Sequence, residues 1–184
     1  LQVLNKDFKR LNDDAVNTGK IIYKRNAAPM VNFDYTYWSS PVFGQTAKNL
    51  SPNTLADKYF RYDSTVDDWK FHDGVMDAGV GYIIRVPKPG NTYTLPLGNP
   101  EVVPSTPYAQ PVEFVGTPNN KIAPVAVGPE DNGNLIGNPY PSAMSADAFL
   151  AANVNEIEGT IYFWTHSTPI ANNDYASSDF ASYN

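Results

Sequence analysis

Short runs of aromatic and β-branched residues recur along the chain, and stretches rich in proline, glycine, asparagine and aspartate separate them. The first residue types favour pleated strands and the second favour turns, so this alternation predicts an all-β protein. We expect an antiparallel β-sandwich or a jelly-roll-like arrangement of the strands. The predicted strands comprise residues 21–24, 35–42, 58–63, 69–71, 81–86, 112–115, 122–127, 135–137 and 160–164.

One short helix is predicted, at about residues 146–152. Ser145 suits the N-cap because its hydroxyl can accept a hydrogen bond from an N–H of the first turn. Asp147 lies in that first turn, where the helix dipole favours a negative charge. Asn153 is a residue at which the helix is expected to end.

The domain organisation follows from where the turn-forming residues lie. Residues 1–19 finish in a turn-forming stretch, so they are expected to be the end of a preceding unit or a connecting segment. Residues 20–184 then form one β-sandwich-like domain. Within it, residues 87–111 contain seven prolines, and we expect a long exposed loop there.

Composition argues against several classes of function. The net charge is −6 and Lys and Arg are not clustered, so a nucleic-acid partner is not expected. The chain has no cysteine, which excludes disulfides, thiolate metal ligands and a cysteine nucleophile. No apolar run approaches the ~20 residues that a membrane span requires, so we expect no membrane span.

Catalytic candidates are few, and each has a simpler structural explanation. His72 and His166 are the only histidines, and Ser39 and Ser40 lack the G-x-S-x-G surroundings of a nucleophile elbow. An acid pair for glycoside hydrolysis could come from the aspartates near Trp69, although their spacing favours hairpin turns. We therefore expect no catalytic residue. A hydrolase that uses these aspartates remains an alternative, ranked below the two non-catalytic hypotheses given at the end of this subsection. The aspartates concerned are Asp63, Asp67, Asp68, Asp73 and Asp77.

Two oxygen-rich turns are candidate metal sites. The first contains Glu130, Asp131 and Asn132, and the second contains Asp174 and Asp179. Calcium takes about six to eight oxygen ligands and is the one cofactor that these residues suggest. Neither turn has the spacing of an EF-hand loop, so ordinary turn chemistry alone explains both adequately.

Aromatic residues are candidates both for ligand contact and for the core. Tyr93 and Tyr108 lie on the proline-rich segment, so we expect them to be exposed ligand contacts. Large apolar residues on strands are expected to be buried instead. The predicted core contributors are Tyr35, Tyr37, Trp38, Leu135, Ile136, Ile161 and Phe163.

Several segments resemble the pattern of a known family. They are NTGKIIYKR (17–25), FDYTYWSSPV (33–42), LSPNTLADKYFRYD (50–63), MDAGVGYIIRVP (76–87), FVGTPNN (114–120), NLIGNPYPSAMSADAFLAAN (134–153), GTIYFWTH (159–166) and DYASSDFASYN (174–184). Together they are similar to a β-rich domain of large cell-surface proteins of Bacteroidota, of Flavobacteriia type, that the type IX secretion system exports. Val80 and Lys121 depart from the family pattern, which usually has lysine and glycine there.

The resemblance implies a non-catalytic domain with an adhesion or structural role at the cell exterior, and a surface glycan or a protein as its ligand. The alternative is a carbohydrate-binding module of a secreted polysaccharide-degrading enzyme. The resemblance also implies O-glycosylation of Ser64, in the tripeptide that begins at Asp63.

The resemblance has a further implication for the sheet edges. The family pattern continues past Asn184, so we expect the domain to lack its C-terminal strands. A sheet edge near residues 159–166 should then be open to a strand-donating partner or to the type IX export machinery.

Overall fold

The computed structural model describes residues 2–3, 16–94, 100–129, 131–168, 175 and 179–184. Antiparallel strands dominate its regular structure, so the prediction of an all-β fold is confirmed. Their arrangement as a sandwich or jelly roll stays a prediction. The strands are β1 (Gln2–Val3), β2 (Ile21–Asn26), β3 (Tyr35–Trp38), β4 (Val42–Phe43), β5 (Tyr59–Asp63), β6 (Asp68–Phe71), β7 (Tyr82–Arg85), β8 (Thr92–Thr94), β9 (Pro100–Val102), β10 (Pro111–Pro118), β11 (Ala123–Pro124), β12 (Ile161–Trp164) and β13 (Phe180–Tyr183).

Two short helices accompany the strands: α1 (Ala47–Leu50) and α2 (Ala146–Ala152). Helix α2 and its cap confirm the prediction, since the Ser145 hydroxyl accepts a hydrogen bond from the N–H of Ala148 at 3.2 Å. The expectation of a single helix was wrong, because α1 is one turn long and too short for a periodic apolar pattern. No helix in the described part of the chain is long and apolar enough to cross a membrane.

A four-stranded sheet in the order β3-β7-β5-β6 positions the functional site described below. Its inner strand β7 begins with Tyr82, Ile83 and Ile84, and all three side chains are buried. A continuous apolar run of this kind is typical of a strand that is covered on both faces. Strand β7 therefore anchors its neighbours β3 and β5 on either side.

The two faces of this sheet carry different side chains. Residues directly opposite each other on neighbouring strands share a face, and successive residues alternate between faces. Tyr59, Tyr82 and Ile84 lie on one face and belong to the main core. The other face carries most of the sheet's aromatic rings, which are Tyr35, Tyr37, Phe60, Tyr62, Trp69 and Phe71.

The main core lies where this sheet meets a second sheet, of order β2-β10-β4, and helix α1. Strand β10 is the inner strand of the second sheet, and its alternating residues Val112 and Phe114 are fully buried. The buried members of the main core are Val42, Ala47, Leu50, Tyr59, Met76, Tyr82, Ile84, Val112 and Phe114.

The predicted strand 35–42 is two strands in different sheets, because β3 pairs with β7 whereas β4 pairs with β10. The break lies at Ser40 and Pro41. The Ser40 hydroxyl donates to the carbonyl of Val42 at 2.7 Å, and Pro41 has no N–H to give to a ladder. This turn carries the chain from the four-stranded sheet to the three-stranded one.

The proline-rich segment 87–111 is only in part the exposed loop that we expected: most of its described residues are exposed, but some form a hairpin and others are buried. Strands β8 and β9 within it pair as a hairpin. A second core cluster forms beside that hairpin from Ala27, Met30, Val86, Val103 and Tyr108. Apolar residues spaced between the prolines are thus enough to bury part of the segment.

Two other predicted strands are shorter than expected. Of residues 122–127 only β11 is a strand, and it pairs with β1. Of residues 135–137 only Ile136 forms a bridge, to Val80. The rest of these segments is loop, although their apolar side chains still pack against neighbouring residues.

The predicted core role of Phe163 was wrong, because its side chain is 51% exposed. Strand β12 pairs only with β13, and among the described residues this hairpin has no further strand on either edge. An open edge near residues 159–166 was expected. The other predicted core residues of strands β3 and β12 and of the 135–136 pair are half-buried.

The burial of Phe114 gives a direct test of the core. Phe114→Ala should lower the free energy of unfolding by about 3–5 kcal/mol, because it removes a large buried ring. The matched control is Phe43→Ala, which removes a ring of the neighbouring strand that is 78% exposed and should cost less than about 0.5 kcal/mol. Urea unfolding of both variants measures the difference, and equal losses would contradict this core.

Candidate functional site

A groove of about 1040 Å³ lies between the four-stranded sheet and the β12–β13 hairpin. We call it the aromatic groove. Pockets of this volume that combine apolar walls with a few polar groups are typical of ligand-binding sites. The rings that define it are Tyr37, Tyr62, Trp69, Tyr162, Trp164 and Phe180.

The sheet side of the aromatic groove is formed by Tyr37, Tyr62 and Trp69. Tyr62 and Trp69 are cross-strand partners in β5 and β6, and their rings meet edge to face with centroids 5.1 Å apart. Tyr37 lies within 25° of parallel to Trp69, at 6.5 Å. Trp69 is 37% exposed, so part of this packed aromatic surface is open to a ligand.

The opposite side is the β12–β13 hairpin. Trp164 holds it to the sheet through contacts with Tyr37 and Tyr175, at centroid distances of 4.9 and 4.8 Å. Tyr162 and Phe180, on the two strands of the hairpin, also line the groove and are well exposed. One ring of the hairpin is therefore packed, and the others are available for contact.

A polar pair supports the end of this hairpin. His166 Nε2 lies 3.1 Å from Asp34 Oδ2, and that same oxygen accepts the N–H of Val31 at 2.6 Å. The hydroxyl of Tyr175 accepts the N–H of Tyr35 at 2.9 Å. The hairpin is thus tied to the start of β3 at a buried carboxylate.

The loop 133–138 and the adjacent residues Trp38 and Ser39 also line the aromatic groove. Gly137 lies so close to Ser39 that a Cβ at this position would overlap the serine side chain. Trp38 Nε1 and Ser39 Oγ are buried and have no hydrogen-bond partner among the described residues. Unsatisfied donors are uncommon in folded proteins, and beside a groove they are groups that a ligand oxygen could pair with.

The groove is almost uncharged. Arg25 is its one charged side chain among the described lining residues. Burial and a hydrogen bond to Asp67 raise the pKa of Tyr62 to about 12. Burial also raises the pKa of Tyr37. Both hydroxyls are protonated at neutral pH, and the hydroxyl of Tyr62 already donates its proton to Asp67.

The structure does not support Tyr108 as an exposed ligand contact, because its side chain is only 4% exposed and belongs to the second core cluster. Tyr93 lies on β8, and its side chain is outside the described residues. Ser64 is half-buried on the turn after β5, and its carbonyl accepts a hydrogen bond from Asn132 at 2.7 Å. Its glycosylation stays a prediction.

The residues predicted for calcium are only partly described, because Glu130 and Asp174 lie outside the described residues. Asn132 ties its turn to Ser64, which is a structural role. The buried Asp179 accepts hydrogen bonds from Ser167 and Thr168, and these bonds lower the pKa of its carboxyl. Within the described ranges, no three His, Cys, Asp or Glu residues lie together as metal ligands.

Sequence reasoning missed the aromatic groove. The expected ligand contacts, Tyr93 and Tyr108, lie on the proline-rich segment and not on the elements that line the groove. A signal was present in the sequence: aromatic residues occur at paired positions of the short hairpin that contains Tyr62 and Trp69. What the sequence lacked was the position of the distant β12–β13 hairpin opposite them.

The contact between Gly137 and Ser39 can be tested by adding a methyl group. Gly137→Ala should lower the free energy of unfolding by about 1–3 kcal/mol, because the loop must move away from β3. Gly133→Ala is the matched control, since the nearest atom to its Cβ would be 3.5 Å away, on Tyr62. If thermal unfolding finds both variants as stable as the parent, the loop does not pack as described.

Tyrosine ionisation predicts a loss of stability at high pH. The pKa values of Tyr62 and Tyr175 are raised from 10.0 to about 12, chiefly by burial. Between pH 10 and about pH 12 the folded protein therefore binds more protons than the unfolded chain. The free energy of unfolding keeps its full value below pH 10 and falls as the pH rises toward 12. Urea unfolding at a series of pH values measures the fall. Unchanged stability up to pH 12 would contradict the two raised pKa values.

Comparison with known proteins identifies the family of this chain. Residues 9–184 match the family described as a domain of unknown function, DUF8693. No curated protein and no solved structure matches the chain. Because the match extends over nearly all of its length, the chain belongs to the DUF8693 family.

Proposed function

We propose that this chain is a non-catalytic domain of a large exported cell-surface protein, and that it contributes to adhesion by binding a surface glycan in the aromatic groove. The aromatic groove carries the proposal. The resemblance of its sequence segments to surface domains exported by the type IX system supports the extracellular location. A protein ligand is the competing possibility for the same surface.

The lining of the aromatic groove suits a sugar chain. The C–H face of a pyranose ring is apolar and packs well on the electron-rich face of an aromatic ring. Trp69 and Tyr162 present such rings from opposite sides of the groove. Sugar hydroxyls need short polar partners, which Asn134 and Ser182 supply beside those rings.

A non-catalytic role fits the chemistry of the groove. Glycoside hydrolysis requires two carboxyl groups across the scissile bond. The described residues that line the groove include no Asp or Glu. Both histidines have local partners, since His72 Nε2 lies 2.8 Å from the carbonyl of Val75 and His166 lies beside Asp34.

The hairpin edges support a role for strand pairing in the intact protein. Neither β12 nor β13 carries a charged residue or a proline, the devices that usually protect an exposed edge. We propose that a neighbouring strand, from another copy or from the export machinery, covers one of these edges.

The second candidate function is a carbohydrate-binding module of a secreted polysaccharide-degrading enzyme. The near-parallel rings of Tyr37 and Trp69 favour it, because adjacent rings can contact successive sugars of one chain. The two candidates differ in what the groove binds. The module is favoured if the full-length protein degrades a polysaccharide and the groove binds that polysaccharide selectively. Adhesion is favoured if the groove binds cell-surface glycans and the full-length protein has no hydrolase activity.

Glycan binding can be tested by removing one ring from each side of the groove. Trp69→Ala and Tyr162→Ala should each weaken binding to glycans selected on an array by about tenfold or more, or about 1.4 kcal/mol. Phe43→Ala is the control, because it removes an exposed ring outside the groove. Calorimetry measures the affinities. The proposal fails if no glycan binds, or if all three variants bind as the parent does.

A further inference from the structure

Arg25 differs in its surroundings from the other residues of the aromatic groove. It lies near the end of β2, opposite Val112 of β10. Its guanidinium group packs over the ring of Tyr23, 4.7 Å from the ring centroid. Tyr23 in turn lies 6.4 Å from the buried ring of Phe114, so the arginine rests on a platform that the core supports.

No described carboxylate lies within ion-pair distance of Arg25. The preceding residue, Lys24, does have one, with Nζ 3.2 Å from Glu113 Oε1. Successive residues of a strand point to opposite faces. Of these two neighbouring cations of β2, Lys24 forms an ion pair within the protein and Arg25 lines the groove.

A guanidinium group that no described carboxylate neutralises, beside an otherwise uncharged groove, predicts the charge of the ligand. The protein carries a net charge of −6, so its overall field repels anions, and a neutral ligand would gain little from one arginine. An arginine whose face is stacked on a tyrosine keeps its N–H groups free at the edge, and that edge matches a carboxylate through two parallel hydrogen bonds. Stacking also restricts the side chain before binding, which reduces the entropy lost when the bond forms.

We propose that the aromatic groove selects an acidic glycan, and that Arg25 binds the carboxylate of a hexuronic acid while the rings of the groove contact the sugar faces. This inference rests on the proposed glycan-binding function. Arg25 acts as a specificity-determining residue, and the aromatic rings supply binding common to acidic and neutral sugars. The class of ligand is therefore a polysaccharide that contains uronic acids.

The test compares each acid with its own methyl ester. Oligosaccharides of galacturonate, glucuronate and mannuronate are titrated into the protein by calorimetry, alongside the methyl ester of each and a neutral gluco-oligosaccharide. Esterification removes the charge and leaves the ring unchanged. At least one acid should bind about tenfold or more tightly than its ester, and added salt should reduce that preference.

Variants at Arg25 and Lys24 separate charge recognition from folding. Arg25→Gln should bring the affinity for the acid down to that for the ester, with the affinity for the ester unchanged. Arg25→Lys should restore part of the preference for the acid, because lysine keeps the positive charge but cannot donate two parallel hydrogen bonds to the carboxylate. Lys24→Gln, which changes the neighbouring cation outside the groove, should keep the full preference. Urea unfolding checks that each variant is folded.

The outcomes distinguish this inference from the proposed function. Equal affinity for acid and ester, or an acid preference that survives Arg25→Gln, overturns the inference and leaves glycan binding intact. A sulfated oligosaccharide is titrated alongside, and its binding in the absence of any uronate binding overturns the uronate assignment. Failure of every glycan to bind overturns both the inference and the proposed function.

Discussion

The burial of strand β7 is the constraint on which the rest of the structure depends. Tyr82 and Ile84 commit one face of the four-stranded sheet to the main core. Because side chains alternate, the other face is left to the residues between them, and on the flanking strands these are aromatic. The rings of these strands therefore lie on the face away from the main core, and that face forms one side of the aromatic groove.

Ring packing and a polar pair hold the opposite side of the groove to the sheet. Trp164 against Tyr37, and His166 beside Asp34, connect the β12–β13 hairpin to the sheet. A second cavity of about 1000 Å³ lies between the hairpin, the loop 127–138 and helix α2. The groove therefore lies between two sets of rings, those of the sheet and those of the hairpin.

The electrostatics of the groove follow from the same packing. The tyrosine hydroxyls are neutral hydrogen-bonding groups at neutral pH, and burial raises the pKa of Tyr37 and Tyr62 further. Arg25 is the exception, because Tyr23 supports its guanidinium group while no described carboxylate neutralises it. In the proposed function, the neutral aromatic surface would supply affinity for sugars in general, and this single cation would discriminate among them.

The amino-acid pattern was sufficient for features that depend on local chemistry. The all-β class and helix α2 with its Ser145 cap follow from residue preferences and short-range hydrogen bonds. Burial could not be read in this way, because it depends on which distant segment covers a residue. Tyr108 is buried because Met30 and Val103 pack around it, whereas Phe163 lies on a hairpin that has no further strand on either edge among the described residues. The groove joins residues more than a hundred positions apart, such as Tyr37 and Trp164, so it exists only once the chain has folded.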